Sequence, residues 1–154
     1  MASLPVPAHT AADRRPARRR RKFDLHENPS PVRNRIRCMD ALDGMRTLPE
    51  VCIPLTVTSP PFDSIRSYGG HRWDHETFTA LARELWRVTM PGGIVCWNAQ
   101  DQIAKGGQTG TSFRQALYFM GLGFRLHNTL LIEKQVTRGI NPVRYGVTPE
   151  FVFV

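Results

Sequence analysis

Residues 52–58, CIPLTVT, form a short apolar run rich in β-branched side chains, and they lead without a break into Ser59-Pro60-Pro61. Such a run reads as a buried central strand. Proline has no N–H to give a sheet ladder and its ring fixes φ, so two in succession end the strand there. After a polar, glycine- and aromatic-rich loop, Phe78, Leu81, Ala82, Leu85, Trp86 and Thr89 recur at helical spacing. Trp86 is expected in the core. Pro91-Gly92-Gly93 is expected to end this helix, and residues 94–97 read as a second buried strand.

The alternation repeats. Ser112 is expected to cap a helix that turns Phe113, Ala116, Leu117 and Met120 inward and ends at Gly121 and Gly123. Residues 125–133 read as a third strand, and residues 150–154 as the start of a fourth. Upstream, residues 35–39 read as a short strand, and Asp40 opens a helical turn stopped by Pro49. Strands alternating with helices argue for an α/β layered sheet with parallel neighbours. Ligands in such sheets bind beyond the carboxyl ends of the strands. Residues 58–62, 97–101 and the segment after Glu133 all lie at such ends, so three polar loops surround one cleft. Asn98, Gln100 and Asp101 are candidates to line it, although solvated loop positions are the commoner fate of such residues. The last apolar run is still in progress at Val154, so the fold is expected to be incomplete at the C-terminus.

A chain of 154 residues suits one domain. Its net charge of +8 is unevenly placed: Arg14, Arg15, Arg18, Arg19, Arg20, Arg21 and Lys22 stand against Asp13 alone. Residues 1–31 are expected to be a disordered basic tail, and residues 32–154 the folded, motif-bearing part. A basic tail suits salt-sensitive attraction to nucleic-acid phosphates, or is simply a solvated leader. It has few serines and no clear amphipathic period, which argues against a transit peptide. No apolar run approaches the roughly 20 residues needed to span a membrane, so a cytoplasmic protein with no membrane partner is the expectation. Cys38, Cys52 and Cys96 show no CxxC spacing and no accompanying histidine cluster. They are expected to be buried thiols, with no metal site.

The Ser59-Pro60-Pro61-Phe62 turn has chemistry of its own. It offers backbone carbonyls and the Ser59 hydroxyl as acceptors, with Phe62 as a flat apolar face beside them. An exocyclic base amine needs such a partner, because its nitrogen lone pair is conjugated into the ring. Acceptors that take both N–H hydrogens favour a tetrahedral nitrogen whose lone pair can aim at an electrophilic methyl group. Position and electrostatics then do most of the work. The base must leave the duplex to reach the site, and an aromatic ring can stack on it once flipped.

With its surroundings, this turn resembles the catalytic motif of DNA amino-methyltransferases, whose pattern is Asp/Asn/Ser-Pro-Pro-Tyr/Phe. Residues 39–49 resemble the family's lead-in, 82–93 the helix and Pro-Gly-Gly turn, 110–134 the helix-strand unit, and 150–154 the start of its final strand. The resemblance implies a Rossmann-like, S-adenosylmethionine-dependent methyltransferase fold in permuted motif order. It implies that Ser59, Pro60, Pro61 and Phe62 hold and stack the target base. Asp40 would lie near the adenine of S-adenosylmethionine, with a helix N-cap as the equal alternative. Tyr68 and Arg72, with His71 and Trp73, would sit on a loop over the DNA, and Arg138 and Arg144 in the target-recognition region. Ser in the first motif position leans toward cytosine N4 over adenine N6. The setting would resemble restriction-modification or phage methylation systems.

The family's Phe-x-Gly-x-Gly cofactor loop has no counterpart in the sequence, and Gly121-Leu122-Gly123 follows a helix where the loop follows a strand. A missing C-terminal segment or a second chain would supply it. Pro54 and Pro149 also depart from the family pattern. A catalytically inactive nucleic-acid-binding relative, and an RNA or protein amino-methyltransferase, are the rival readings.

Overall fold

The computed structural model describes residues 34–63, 69–70, 73–133 and 149–154. The expected tail at residues 1–31 lies outside them. The elements run α1 (Ala41–Arg46), β1 (Ile53–Thr58), α2 (His75–Val88), β2 (Thr89–Ala99), β3 (Ile103–Ala104), β4 (Gly107–Gln108), α3 (Thr111–Leu122), β5 (Thr129–Ile132) and β6 (Glu150–Phe153). Four strands form one sheet in the order β1-β2-β6-β5, and β3 and β4 make a small separate hairpin.

The expectation of parallel neighbours holds for β1 and β2 only; β6 runs antiparallel to both β2 and β5. α2 is the crossover that makes the first pair parallel. Asp74 caps it, with its carboxylate accepting from the Thr77 N–H at 2.9 Å.

The core lies on one face of this sheet. Phe78, Ala82 and Leu85 of α2 and Ala116 and Phe119 of α3 pack on Trp97 and Ala99 of β2 and Phe153 of β6. The alternation of a strand sends Leu55, Val57 and Ile94 to the opposite face, where all three are exposed. Within the described residues β1 is an edge strand: Val57 is 72% exposed, and β1 pairs with β2 alone. That position accounts for Pro54, because an edge strand has a side that needs no N–H donor.

Other boundaries shift for physical reasons. Residues 35–39 form no strand. Pro91-Gly92-Gly93 does not end α2; the helix stops at Val88, and the Pro-Gly-Gly segment bulges out of β2 opposite a register shift between Ile53 and Leu55. A side chain on Gly93 would sit 3.0 Å from the Met90 carbonyl, so the bulge needs glycine there.

α3 buries Ser112, Gln115, Ala116 and Phe119, whereas Phe113, Leu117 and Met120 are exposed. The helix is rotated from the expected face because two polar anchors decide its orientation. Asp101 holds Ser112, and the Trp97 indole N–H donates to Gln115 Oε1 at 2.9 Å. Its N-cap residue is Gly110, not Ser112.

Arg87 joins α1 to α2. Its guanidinium donates to the carbonyls of Met45 (2.8 Å) and Leu48 (2.9 Å) and to Glu84. The hydrogen bond to Glu84 raises its already high pKa further, so the joint is charged at every working pH.

Gly123 ends α3 with φ 112, and a Cβ there would lie 2.9 Å from the Trp86 ring. Trp86 is half-buried, packed on Phe124 at 4.9 Å between centroids. Gly123→Ala is expected to destabilise the protein by about 1–3 kcal/mol, combining left-handed strain with overpacking. A lower urea midpoint at unchanged slope would register it; an unchanged midpoint would mean Trp86 moves aside at no cost.

Candidate functional site

Ser59 begins the turn at the carboxyl end of β1, beside the carboxyl end of β2, where Thr58 pairs with Trp97. The Ser59 hydroxyl is exposed and donates to Asn98 Oδ1 at 2.8 Å. Asn98 Nδ2 in turn donates to Glu150 Oε2 (3.2 Å) and to the Phe151 carbonyl (3.3 Å). Three neighbouring strands thus contribute to one polar chain at the rim of the sheet. Pro60, Pro61 and Phe62 are half-buried.

Asp63 follows at once, in the left-handed region with φ 44, which aspartate tolerates better than most residues. Its Oδ2 accepts from the Thr109 hydroxyl at 2.8 Å. Thr109 Oγ1 also lies 3.5 Å from Asp101 Oδ1, but a hydroxyl has one hydrogen and the short contact takes it. Asp101 is 2% exposed, and it accepts from the Ser112 N–H (2.8 Å) and hydroxyl (2.9 Å) at the start of α3. The residue that sequence reasoning treated as a solvated loop position is a buried anchor. A lone carboxylate shortly before a helix with serine in its first turn was the available signal.

A cleft of about 360 Å³ opens beyond Asp63, lined by Trp73, His75, Phe78, Thr111, Arg114 and Gln115 among others. It touches the motif turn only at its Asp63 end. Trp73 is half-buried against Trp97 and Phe78, so it belongs to the rim of the core more than to a loop over DNA. Tyr68, Arg72, Arg138 and Arg144 lie outside the described residues.

Asp40 is exposed, and its Oδ1 accepts from the backbone N–H of Leu42 (2.9 Å) and Asp43 (3.2 Å). The capping alternative is therefore observed. Gly121-Leu122-Gly123 is the end of α3, sealed against Trp86, and is no cofactor cradle.

The three cysteines are free, with Cys38 exposed, against expectation, and Cys52 and Cys96 half-buried. Burial pushes the Cys52 thiol up, partly offset by the Arg87 guanidinium and a backbone N–H. Among the described residues no cluster of His, Cys, Asp or Glu could hold a metal ion. No described helix is long and apolar enough to cross a membrane.

No family model matches the sequence. The architecture is that of S-adenosylmethionine-dependent DNA methyltransferases. A candidate DNA modification methylase of Thermus thermophilus, solved with S-adenosyl-L-methionine, superposes with a TM-score of 0.57 at 26% identity, covering 74% of this chain and 51% of that one. The cytosine-N4-specific PvuII DNA methyltransferase does so with a TM-score of 0.58 at 21% identity, covering 75% and 46%. In sequence, the chain is 47% identical over 102 residues to the orphan methyltransferase M.BamHII of Bacillus amyloliquefaciens. The match takes in 66% of this chain and 37% of that relative's length. The chain is thus similar in sequence to a methyltransferase and in fold to DNA modification methylases, and it spans well under half of the curated relative it matches.

Proposed function

We propose that this chain is the motif-bearing part of an S-adenosylmethionine-dependent DNA methyltransferase that methylates an exocyclic base amine, cytosine N4 in preference to adenine N6. The observation that carries the reading is the acceptor cluster at the carboxyl end of β1, where Ser59 is already engaged with Asn98 at 2.8 Å and Phe62 follows two prolines. Ser59 and the carbonyls of the turn accept from the amine, and Phe62 stacks on the flipped ring. S-adenosylmethionine supplies the methyl group. Asp63, tethered through Thr109, keeps the turn in place. Serine at the head of the motif, and the likeness to a cytosine-N4-specific enzyme, support cytosine.

The basic tail and Arg72, Arg138 and Arg144 bind DNA phosphates in this reading, and Tyr68 also contacts DNA. Residues 32–154 act as the catalytic-motif part of the domain in this reading. The glycine-rich cofactor loop comes from further polypeptide. The exposed Leu55, Val57 and Ile94 are consistent with a sheet face made to be covered.

Two measurements test this. Calorimetric titration of S-adenosylmethionine into the folded 154-residue chain is expected to show no micromolar binding, and micromolar binding would refute the need for a further loop. Co-expression with the part of the Bacillus amyloliquefaciens relative outside the matched segment, in a methylation-free host, is expected to give N4-methylcytosine in DNA. Ser59→Ala should lower it by about 100-fold, comparable to removing one preorganised hydrogen-bonding group. N6-methyladenine would reassign the base, and methylated RNA or protein with unmodified DNA would sink the reading.

A further inference from the structure

The way Asn98 is held gives its hydrogen bond with Ser59 a direction. Asn98 Nδ2 faces two groups that only accept, the Glu150 carboxylate at 3.2 Å and the Phe151 carbonyl at 3.3 Å. Turning the amide over would set its oxygen against both. Strand geometry makes this arrangement stiff: Asn98 pairs with Val152, and Glu150 lies two residues along β6 on the same face. Oδ1 therefore points at Ser59 Oγ, 2.8 Å away, and an amide oxygen can only accept. The single hydrogen of the Ser59 hydroxyl is committed to Asn98, and what Ser59 shows to a ligand is lone pairs.

We propose that Asn98, oriented by Glu150 and Phe151, is the specificity-determining positioning residue of the base site. It makes Ser59 an obligate acceptor, so the site takes bases that carry an exocyclic amine and rejects their keto counterparts, uracil and hypoxanthine. This rests on the base-amine reading of the Ser59–Phe62 turn. A free serine hydroxyl rotates to suit either a donor or an acceptor and discriminates poorly. One whose hydrogen is already used meets a keto oxygen lone pair to lone pair. A base stacked on Phe62 excludes the water that would otherwise bridge the two oxygens, so the mismatch stays uncompensated.

The test measures binding of the full chain to duplexes with one base placed opposite an abasic site, where extrusion costs little. Wild type is expected to bind the cytosine duplex about tenfold more tightly than the uracil duplex, the scale of one good base-edge contact. Asn98→Leu is expected to lower that ratio by about threefold, the turn carbonyls keeping the rest, while affinity for fully paired duplex, which backbone contacts supply, stays the same. The double variant Asn98→Asp with Glu150→Gln is expected to keep the ratio. A carboxylate at 98 still accepts from Ser59, and a glutamine at 150 can donate to it. The double variant decides the matter alone if Asn98→Leu fails to fold. A ratio retained in Asn98→Leu, or lost in the double variant, overturns the role of Asn98 and leaves the base-amine reading standing. A wild-type chain that does not distinguish cytosine from uracil overturns that reading, and this inference with it.

Discussion

Trp97→Ala is expected to lower the unfolding free energy by about 3–5 kcal/mol, the range for removing a large buried aromatic side chain. Trp97 is 1% exposed near the carboxyl end of β2. Its ring meets Phe119 at 5.0 Å, Phe78 at 5.8 Å and Trp73 at 6.4 Å between centroids, so α2, α3 and the segment before α2 all lean on it. The substitution also strips Gln115, itself 5% exposed, of the indole N–H it accepts. An unmet buried acceptor costs about 1–3 kcal/mol, part of the same total. Domains of this size have only about 5–15 kcal/mol to lose, so the variant should sit near its folding threshold. Trp97→Phe keeps most of the ring and loses the donor, and it should cost less than half as much. Denaturant unfolding followed by circular dichroism compares the two. A loss under about 1 kcal/mol for Trp97→Ala would mean that α2 and α3 close over the gap, against the usual stiffness of packed interiors.

The sequence disclosed most where one residue type leaves few options. Pro60-Pro61 ends β1 where expected, Asp40 caps α1, and Gly123 ends α3, each because of a backbone constraint local to that residue. Apolar periodicity located α2 and the face it buries, through Phe78, Ala82 and Leu85, but did not give the inward side of every helix. α3 is the clear case. Phe113, Leu117 and Met120 make a plausible apolar stripe, yet Ser112 and Gln115 are the buried positions, because their partners Asp101 and Trp97 lie 11 and 18 residues away. Helical spacing carries no trace of partners at that distance. β1 lies at an edge of the described sheet for a reason just as hidden: an apolar run looks the same in the middle of a sheet as at an edge, and only the pairing tells them apart. Pro54 was the available hint. In the site, the motif turn was legible as a string, whereas its link to Asn98 and Glu150 spans 39 and 52 residues and needed the fold to appear.

The same distance effect underlies the second large expectation. Asp101→Ala should destabilise the protein by about 2–4 kcal/mol, since it removes two hydrogen bonds to a charged acceptor and leaves the Ser112 N–H and hydroxyl buried without a partner. Part of the loss is electrostatic, because an anion at the first turn of α3 complements the helix dipole. Gly110, the N-cap residue, offers no side chain to take over.

The variant also reaches the candidate site. Thr109 sits between Asp101 and Asp63, and Asp63 is the residue after Phe62. When the start of α3 frays, the Thr109 hydroxyl is no longer held against Asp63, and the Ser59–Phe62 turn loses its brace on that side. Asp101→Asn separates the two effects. Its side-chain oxygen can still accept the Ser112 N–H, and the Ser112 hydroxyl can rotate to accept from the new amide, so only the hydroxyl hydrogen loses its acceptor. Its stability loss should be less than half that of Asp101→Ala, with base discrimination preserved. Thermal unfolding of both variants, paired with the cytosine-against-uracil binding ratio, gives the comparison. If Asp101→Ala loses stability but keeps the full ratio, Asp101 supports the helix alone, and the turn is held by Asn98 and the two prolines without help from α3.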